Sequence, residues 1–159
     1  MAVVGFEHHD HHHCISDALA GAETYCATHK LKLTPTRRRV LEILAQEHRA
    51  LGAYEILEHL AKEGLGSQPP VAYRALDFLA THGFVHKIEK LNAYIACAHH
   101  GEDHAPGFMI CTDCSKVAEV PSASVRDILG HAAKETGFEV SRAMVEVEGL
   151  CAACQDSPA

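Results

Sequence analysis

Residues 69–97 read PPVAYRALDFLATHGFVHKIEKLNAYIAC, and the order of signals within them decides the fold. Pro69 and Pro70 open a helix, because proline is tolerated in a first turn whose N–H groups have no intrahelical partner. At about 100° per residue, Ala72, Ala75, Leu76 and Leu79 share an inward face, which leaves Pro70, Tyr73, Arg74, Asp77 and Thr81 pointing outward. Gly83 stops the helix, and Phe84 to Cys97 alternates as two strands turning near Leu91 and Asn92. A helix presenting Tyr73 and Arg74 and running straight into a hairpin is the closing part of a winged helix-turn-helix.

Upstream, the same signals predict three more helices. From Ser16 to Thr28, Leu19, Ala22 and Cys26 recur at helical spacing, with Ser16 available as N-cap. Thr34 caps the next helix, Pro35 takes its first position, and Val40, Leu41 and Leu44 form its apolar stripe to about Glu47. Ala53 to Lys62 carries Ile56, Leu57, Leu60 and Ala61 on one face and is ended by Gly64 and the Gly66-Ser67 turn. Ahead of these, residues 1–14 hold His8, His9, His11, His12, His13 and Cys14 beside Glu7 and Asp10, with little to build a core. They are expected to be a flexible tail that binds metal loosely. The winged helix is placed at residues 15–92 and a hinge at 93–98.

Downstream, Cys111/Cys114 and Cys151/Cys154 form two C-x-x-C pairs. Each pair lets two thiolates reach one ion from a tight turn, and two pairs complete the tetrahedral four-sulfur cage that structural zinc prefers. A single pair could be a redox dithiol, but that does not explain a second pair with the same spacing. A polar loop, Ala98–Pro106, precedes strand-like Phe108–Cys111 and Lys116–Val120, which flank the first pair. Ser122 starts a helix with Val125, Ile128, Leu129 and Ala132 that ends at Gly137, and Phe138–Val147 alternates as a last strand. Residues 99–159 are thus a small α/β unit around the cage, and the whole is an α+β chain of two parts.

Length and charge bound the function. A chain of 159 residues is one ordinary domain or two small ones, and a metal staple helps the smaller core. Seven cysteines are an odd number, no signal-peptide core is evident, and no run approaches the ~18–20 apolar residues of a bilayer span. A soluble, cytoplasmic protein with reduced thiols is therefore expected. The net charge is -7, yet residues 27–90 carry 10 Lys and Arg against 7 Asp and Glu, whereas the rest carries 4 against 14. The basic part, with Lys30, Lys32 and Arg37–Arg39 near one helix start, is where nucleic acid is expected, although such a run also suits a solvated helix face. A zinc enzyme is disfavoured, since both the H-E-x-x-H helix and the H-x-E with P-C-x-x-C pattern are missing. A metal buffer, suggested by the 14 histidines, leaves the helix-turn-helix pattern without a purpose.

An arginine at position 74 can pair bidentately with guanine O6 and N7, and Tyr73 offers a ring edge to a thymine methyl and a hydroxyl to phosphate. Leu33-Thr34-Pro35-Thr36-Arg37, Pro70-Val71-Ala72-Tyr73-Arg74-Ala75-Leu76, Gly83-Phe84-Val85-His86-Lys87 and the two cysteine pairs together resemble the ferric uptake regulator family over residues 16–155. The string from Tyr73 to Leu79, the hairpin start and the ending Gly149-Leu150-Cys151-Ala152-Ala153-Cys154 are most similar to its zinc-responsive branch. The resemblance implies a homodimeric, metal-dependent repressor of zinc uptake genes, binding palindromic, A/T-rich operator DNA through Tyr73 and Arg74, with Lys30, Arg37 and Arg38 on phosphates. Residues 99–159 would be the dimerisation and metal-binding domain.

The resemblance also implies two zinc sites per subunit: the structural cage and a regulatory site at His86, Cys97, His104 and Glu119, with His99 or His100 as the alternative to His104. One sulfur, two nitrogens and one carboxylate suit tetrahedral zinc, and the thiolate turns the set away from hard cations. Two departures stand out. Family members commonly have Pro-x-Thr-Val-Tyr-Arg, and here Pro70-Val71-Ala72-Tyr73-Arg74 lacks the threonine hydroxyl, removing one possible DNA contact. Iron-type members carry His-His-x-His directly before the first C-x-x-C, where this chain has His99-His100-Gly101-Glu102-Asp103-His104-Ala105-Pro106. Sensing of iron, manganese or peroxide is the competing expectation.

Overall fold

The computed structural model describes residues 5–6, 10–46, 48–100 and 106–156. The chain divides into two compact units, one spanning residues 7–101 and the other built on the residues from 102 onward.

The first unit contains helices α1 (His11–Thr28), α2 (Pro35–Ala45), α3 (Ala53–Lys62) and α4 (Pro69–Thr81), then strands β1 (Val85–Ile88) and β2 (Ala93–Ala96). Thr34 caps α2 by accepting from Arg37 N at 3.3 Å, and the Glu55 carboxylate accepts from Gly52 N at 2.9 Å at the start of α3. The predicted inward residues of α4, Ala72, Ala75, Leu76 and Leu79, are all buried. They meet Leu19, Val40, Leu41, Leu44, Ile56, Leu60, Phe84 and Val85 in one core. Truncating any of its leucines to alanine should cost about 2–5 kcal/mol. Gly83, at φ +78°, turns the chain out of α4, and Val85 pairs with Ala96 and Ile88 with Ala93 in the antiparallel wing. Leu51 adds a short bridge to Tyr94 through bonds of 2.9 and 2.8 Å.

Two boundaries differ from expectation. Helix α1 starts at His11, not Ser16, because the Asp10 side chain accepts from His12 N at 2.9 Å, and Ile15 and Ala18 pack against the core. His11 to Cys14, expected in the tail, are therefore helical. Residues 93–96, which the sequence reads both as the second strand of the hairpin and as the start of the hinge, are the second strand of the wing.

In the second unit, β3 (Pro106–Cys111) and β4 (Val117–Pro121) are antiparallel, α5 (Ala123–Thr136) follows, and β5 (Glu146–Gly149) returns parallel to β3 before the short α6 (Ala152–Gln155). The sheet order is β4-β3-β5. The last strand was expected at 138–147 but occupies only Glu146–Gly149. Alternation is a local property, whereas a strand needs an edge: pairing runs from Phe108↔Glu146 to Cys111↔Gly149, where β3 ends. Helix α5 ends at Gly137 in the left-handed conformation, as predicted. Its apolar face, however, buries only Ala133. No helix among the described residues is long and apolar enough to cross a membrane.

Candidate metal centre and nucleic-acid interface

The cysteine cage is assembled by the β3–β5 pairing. Cys111 ends β3, and a turn held by Ser115 N to Cys111 O (3.1 Å) brings Cys114 round. Opposite, Cys151 is the N-cap residue of α6, with Cys154 N and Gln155 N both donating to its carbonyl at 3.0 Å. Thr112 N to Gly149 O, at 2.8 Å, closes the two arms together. The four sulfurs all lie within 4.8 Å of one another, and Cys114 Sγ and Cys151 Sγ are 3.8 Å apart. A tetrahedron with Zn–S bonds of about 2.3 Å has edges of about 3.8 Å, so the cage fits that ion.

The electrostatics of the cage agree. Cys151 N points at Cys111 Sγ from 3.4 Å. That donor, followed by the Cys114 N–H, lowers the Cys111 thiol to about 6. Cys154 is pushed up, first by Asp113 and then by Cys151. Four thiolates cannot ionise side by side without a cation, and a bound divalent ion removes that conflict.

Tyr73 and Arg74 lie on the exposed face of α4 as the sequence predicts, and Arg74 makes no ion pair among the described residues. The predicted phosphate contacts are more varied. Lys30 is exposed at φ +54°, in a turn where Leu31 N reaches Cys26 O at 2.8 Å. This is the left-handed helix end that usually takes glycine. Arg37 stacks over the Phe78 ring at 3.7 Å and donates to Lys32 O at 2.6 Å. Arg38 pairs with Glu23 and, at 3.4 Å, with Glu42. Arg39 pairs with Glu63 at 2.7 Å and Glu42 at 2.9 Å, which raises its already high affinity for a proton. Within the basic run, Glu23, Glu42 and Glu63 pair with Arg38 and Arg39, whereas Lys30, Lys32 and Arg37 make no ion pair among the described residues.

Of the predicted regulatory ligands, His86 lies on β1 opposite Ile95 and is half-buried. Cys97 is buried just beyond β2, its N–H donating to Phe84 O at 2.9 Å. Glu119, on β4 opposite Phe108, is only 2% exposed, a placement a carboxylate takes only when charge or hydrogen bonds compensate it. His104 lies outside the described residues. His100, a predicted alternative, has its ring stacked on Phe84 at 3.9 Å, with Tyr25 edge-on at 5.7 Å. Its Nε2 sits 3.4 Å from His82 O.

A further feature of the second unit was not foreseen. Val125, Ile128 and Leu129 on α5, and Phe138, Val140, Met144, Val147 and Leu150 after it, are all exposed, Ile128 by 69% and Phe138 by 68%. The sequence predicts the apolar face of α5 but does not say that nothing among the described residues covers it. A surface this apolar marks an interaction face.

With both units described, the class follows. The ferric uptake regulator family profile matches residues 28–148, and the chain belongs to that family. Within it, the chain resembles zinc uptake regulators. It is 39% identical over 139 residues to the "Zinc uptake regulation protein" of Escherichia coli (strain K12), covering 87% of this chain and 81% of that protein. A solved "Zinc Uptake Regulator Complexed With Zinc AND DNA" matches with a TM-score of 0.85 at 38% identity, covering 89% of this chain and 95% of that one. A structure of holo XcZur matches with a TM-score of 0.80, also at 38% identity, over 90% and 99% of the two chains.

Proposed function

We propose that this protein is a zinc-responsive transcriptional repressor, which binds operator DNA as a zinc-loaded homodimer in the cytoplasm and controls zinc uptake and homeostasis genes. The observation that carries this reading is the outward Tyr73-Arg74 pair on α4, in a chain similar over 89% of its length to a regulator solved with zinc and DNA. A regulator of this kind needs no catalytic group.

Two zinc sites per subunit are proposed. Cys111, Cys114, Cys151 and Cys154 hold the structural ion, which supplies folding energy to a unit with a thin core. His86, Cys97, His104 and Glu119 hold the regulatory ion. His86 and Cys97 belong to the winged unit, whereas Glu119 belongs to the second unit, so a shared ion favours one arrangement of the two about a hinge after β2. In that arrangement, two recognition helices of a dimer reach successive major-groove faces. A switch from 1:99 to 99:1 requires about 5.5 kcal/mol of preference for it. The buried thiolate of Cys97 favours zinc over the harder ions of the iron, manganese and peroxide-sensing readings.

On DNA, Tyr73 and Arg74 read bases while Lys30, Arg37 and Arg38 contact phosphates, Arg38 by exchanging Glu23 and Glu42 for a phosphate oxygen. The exposed apolar residues of α5 and of 138–150 supply the dimer interface. The test is a mobility shift on a palindromic A/T-rich promoter fragment with zinc, iron(II), manganese or chelator. Retardation by zinc alone is expected; retardation only by iron or manganese, or equally in chelator, overturns the reading.

A further inference from the structure

Helix α1 starts inside the histidine-rich segment, and its first turn carries His11 and Cys14. Three residues apart on a helix, they lie on the same face one turn from each other. His48, from the connection between α2 and α3, comes up against that face, its ring centroid 5.1 Å from that of His11 at an interplanar angle of 50°. One ligand atom from each of His11, Cys14 and His48 lies within 4.8 Å of the others, and all three side chains are half-buried. They lie within residues 7–101, so the cluster belongs entirely to the winged unit.

We propose that His11, Cys14 and His48 form a third metal site, for a zinc-class divalent cation, distinct from the cysteine cage and from the regulatory ligands. The donor set decides the class: two imidazoles and a thiolate suit zinc and its neighbours, not magnesium or calcium, which take oxygen. Ligand atoms around a tetrahedral zinc sit about 3.3–3.8 Å apart, given bonds of about 2.0–2.3 Å, so small rotamer changes close a 4.8 Å set. The fourth position is left to water.

The surroundings favour a cation. Asp10 and Asp17 are close enough to Cys14 to raise its thiol, after burial itself, and both carboxylates stabilise positive charge at the same place. Asp10 also fixes the first turn through its bond from His12 N, so two of the ligands are held in place before any ion arrives. With three protein ligands against the four thiolates of the cage, the site binds more weakly and fills at higher zinc. Once filled, it ties the beginning of α1 to the α2–α3 connection, bracing the DNA-binding unit from within.

The test uses the full chain, with cobalt(II) as the probe. Bound metal is counted by native mass spectrometry, and thiolate-to-cobalt charge transfer is followed in the near ultraviolet for wild type, Cys14→Ser, His48→Ala and Cys97→Ser. Cys14→Ser and His48→Ala should each lose about one cobalt per chain with unchanged circular dichroism, while Cys97→Ser keeps that ion. Loss in Cys97→Ser therefore reports the regulatory site, and the two readings fail separately. Uptake in both Cys14→Ser and His48→Ala equal to wild type overturns the proposal. So does loss in Cys14→Ser with none in His48→Ala, which marks loose chelation by the histidine-rich segment, since that would not depend on a residue beyond α2.

Discussion

The guanidinium of Arg37 lies 3.7 Å from the centroid of the Phe78 ring, fastening the start of α2 to the flank of α4. A planar cation over an aromatic face contributes about 0.5–1 kcal/mol at a partly exposed site, and the Arg37 bond to Lys32 O adds to it. Arg37→Ala should therefore lower the unfolding midpoint as well as DNA affinity. Arg37→Lys should not restore stability, because an ammonium lacks the stacking plane. Chemical denaturation of both variants checks this; unchanged midpoints would mean the stack is incidental.

Arg74 and Lys30 should behave differently from Arg37 and from each other. Arg74→Ala should cost about 1–3 kcal/mol on a cognate operator and relax base choice without changing stability. Lys30 occupies a left-handed turn, so Lys30→Gly removes strain while removing a charge. The expected result is equal or higher stability, weaker binding to all sequences alike, and a flatter salt dependence. Arg38→Ala should flatten it too. Salt titrations of DNA binding beside thermal melts separate these roles.

For the cage, Cys111→Ser should give unfolded or monomeric protein, because a small metal-stapled unit takes much of its folding energy from the ion. The pH dependence has a definite sign. Backbone N–H groups, those of Cys151 and Cys114 foremost, lower Cys111 to about 6, so it is a thiolate at neutral pH and regains its proton as pH falls through that value. The zinc affinity of the cage should fall as pH drops, because each thiol must stay deprotonated to hold the ion. Competition between the folded protein and a zinc-sensitive dye across the acid side of neutrality measures it, and a flat profile would contradict the assignment.

Ile128→Glu, at an exposed position on α5, should leave circular dichroism and the cage unchanged within the chain but yield a monomer. A charge buried in a subunit interface without a partner costs several kcal/mol. Light scattering after size exclusion gives the mass; a dimer of normal stability would place the interface elsewhere.

Cys97→Ser should remain a folded dimer with its structural zinc, yet lose about one zinc per subunit and most zinc-dependent DNA binding. His104→Ala should do the same. His100→Ala should instead destabilise the winged unit by removing the stack on Phe84, with zinc stoichiometry intact. Metal analysis of the three variants beside mobility shifts distinguishes sensing from packing.

What could be read in advance follows the range of the physics involved. Helices α2 and α4 start where Thr34-Pro35 and Pro69 say they should, because caps and prolines act within one turn, and α3 starts at Ala53 as its apolar spacing predicts. The cage was legible because C-x-x-C spacing is itself a geometric statement. Three features depended on distant partners and were not. The charge of Arg38 and Arg39 is offset by Glu23 and Glu63, which no local pattern connects to them. The alternation of 138–147 meets β3 only at its end, where Phe108 N donates to Val145 O at 2.9 Å and the ladder starts at Glu146. His48 sits outside the histidine-rich run and meets it only through the fold.

The parallel pairing of β5 with β3 bears on how the protein becomes folded. The winged unit is built mainly from neighbouring helices and a hairpin, contacts that form over short stretches of chain, whereas Phe108 must find Glu146 across the whole of β4 and α5. Closing so long a loop is slow, since its entropy is lost before the contacts that reward it are made. The two units should consequently mature at different speeds, the reader of DNA ahead of the unit that pairs it with a second copy. With zinc in the cysteine cage as proposed, metal supply would control the later of these steps, and a zinc-starved cell would hold back assembly of the regulator as well as its action.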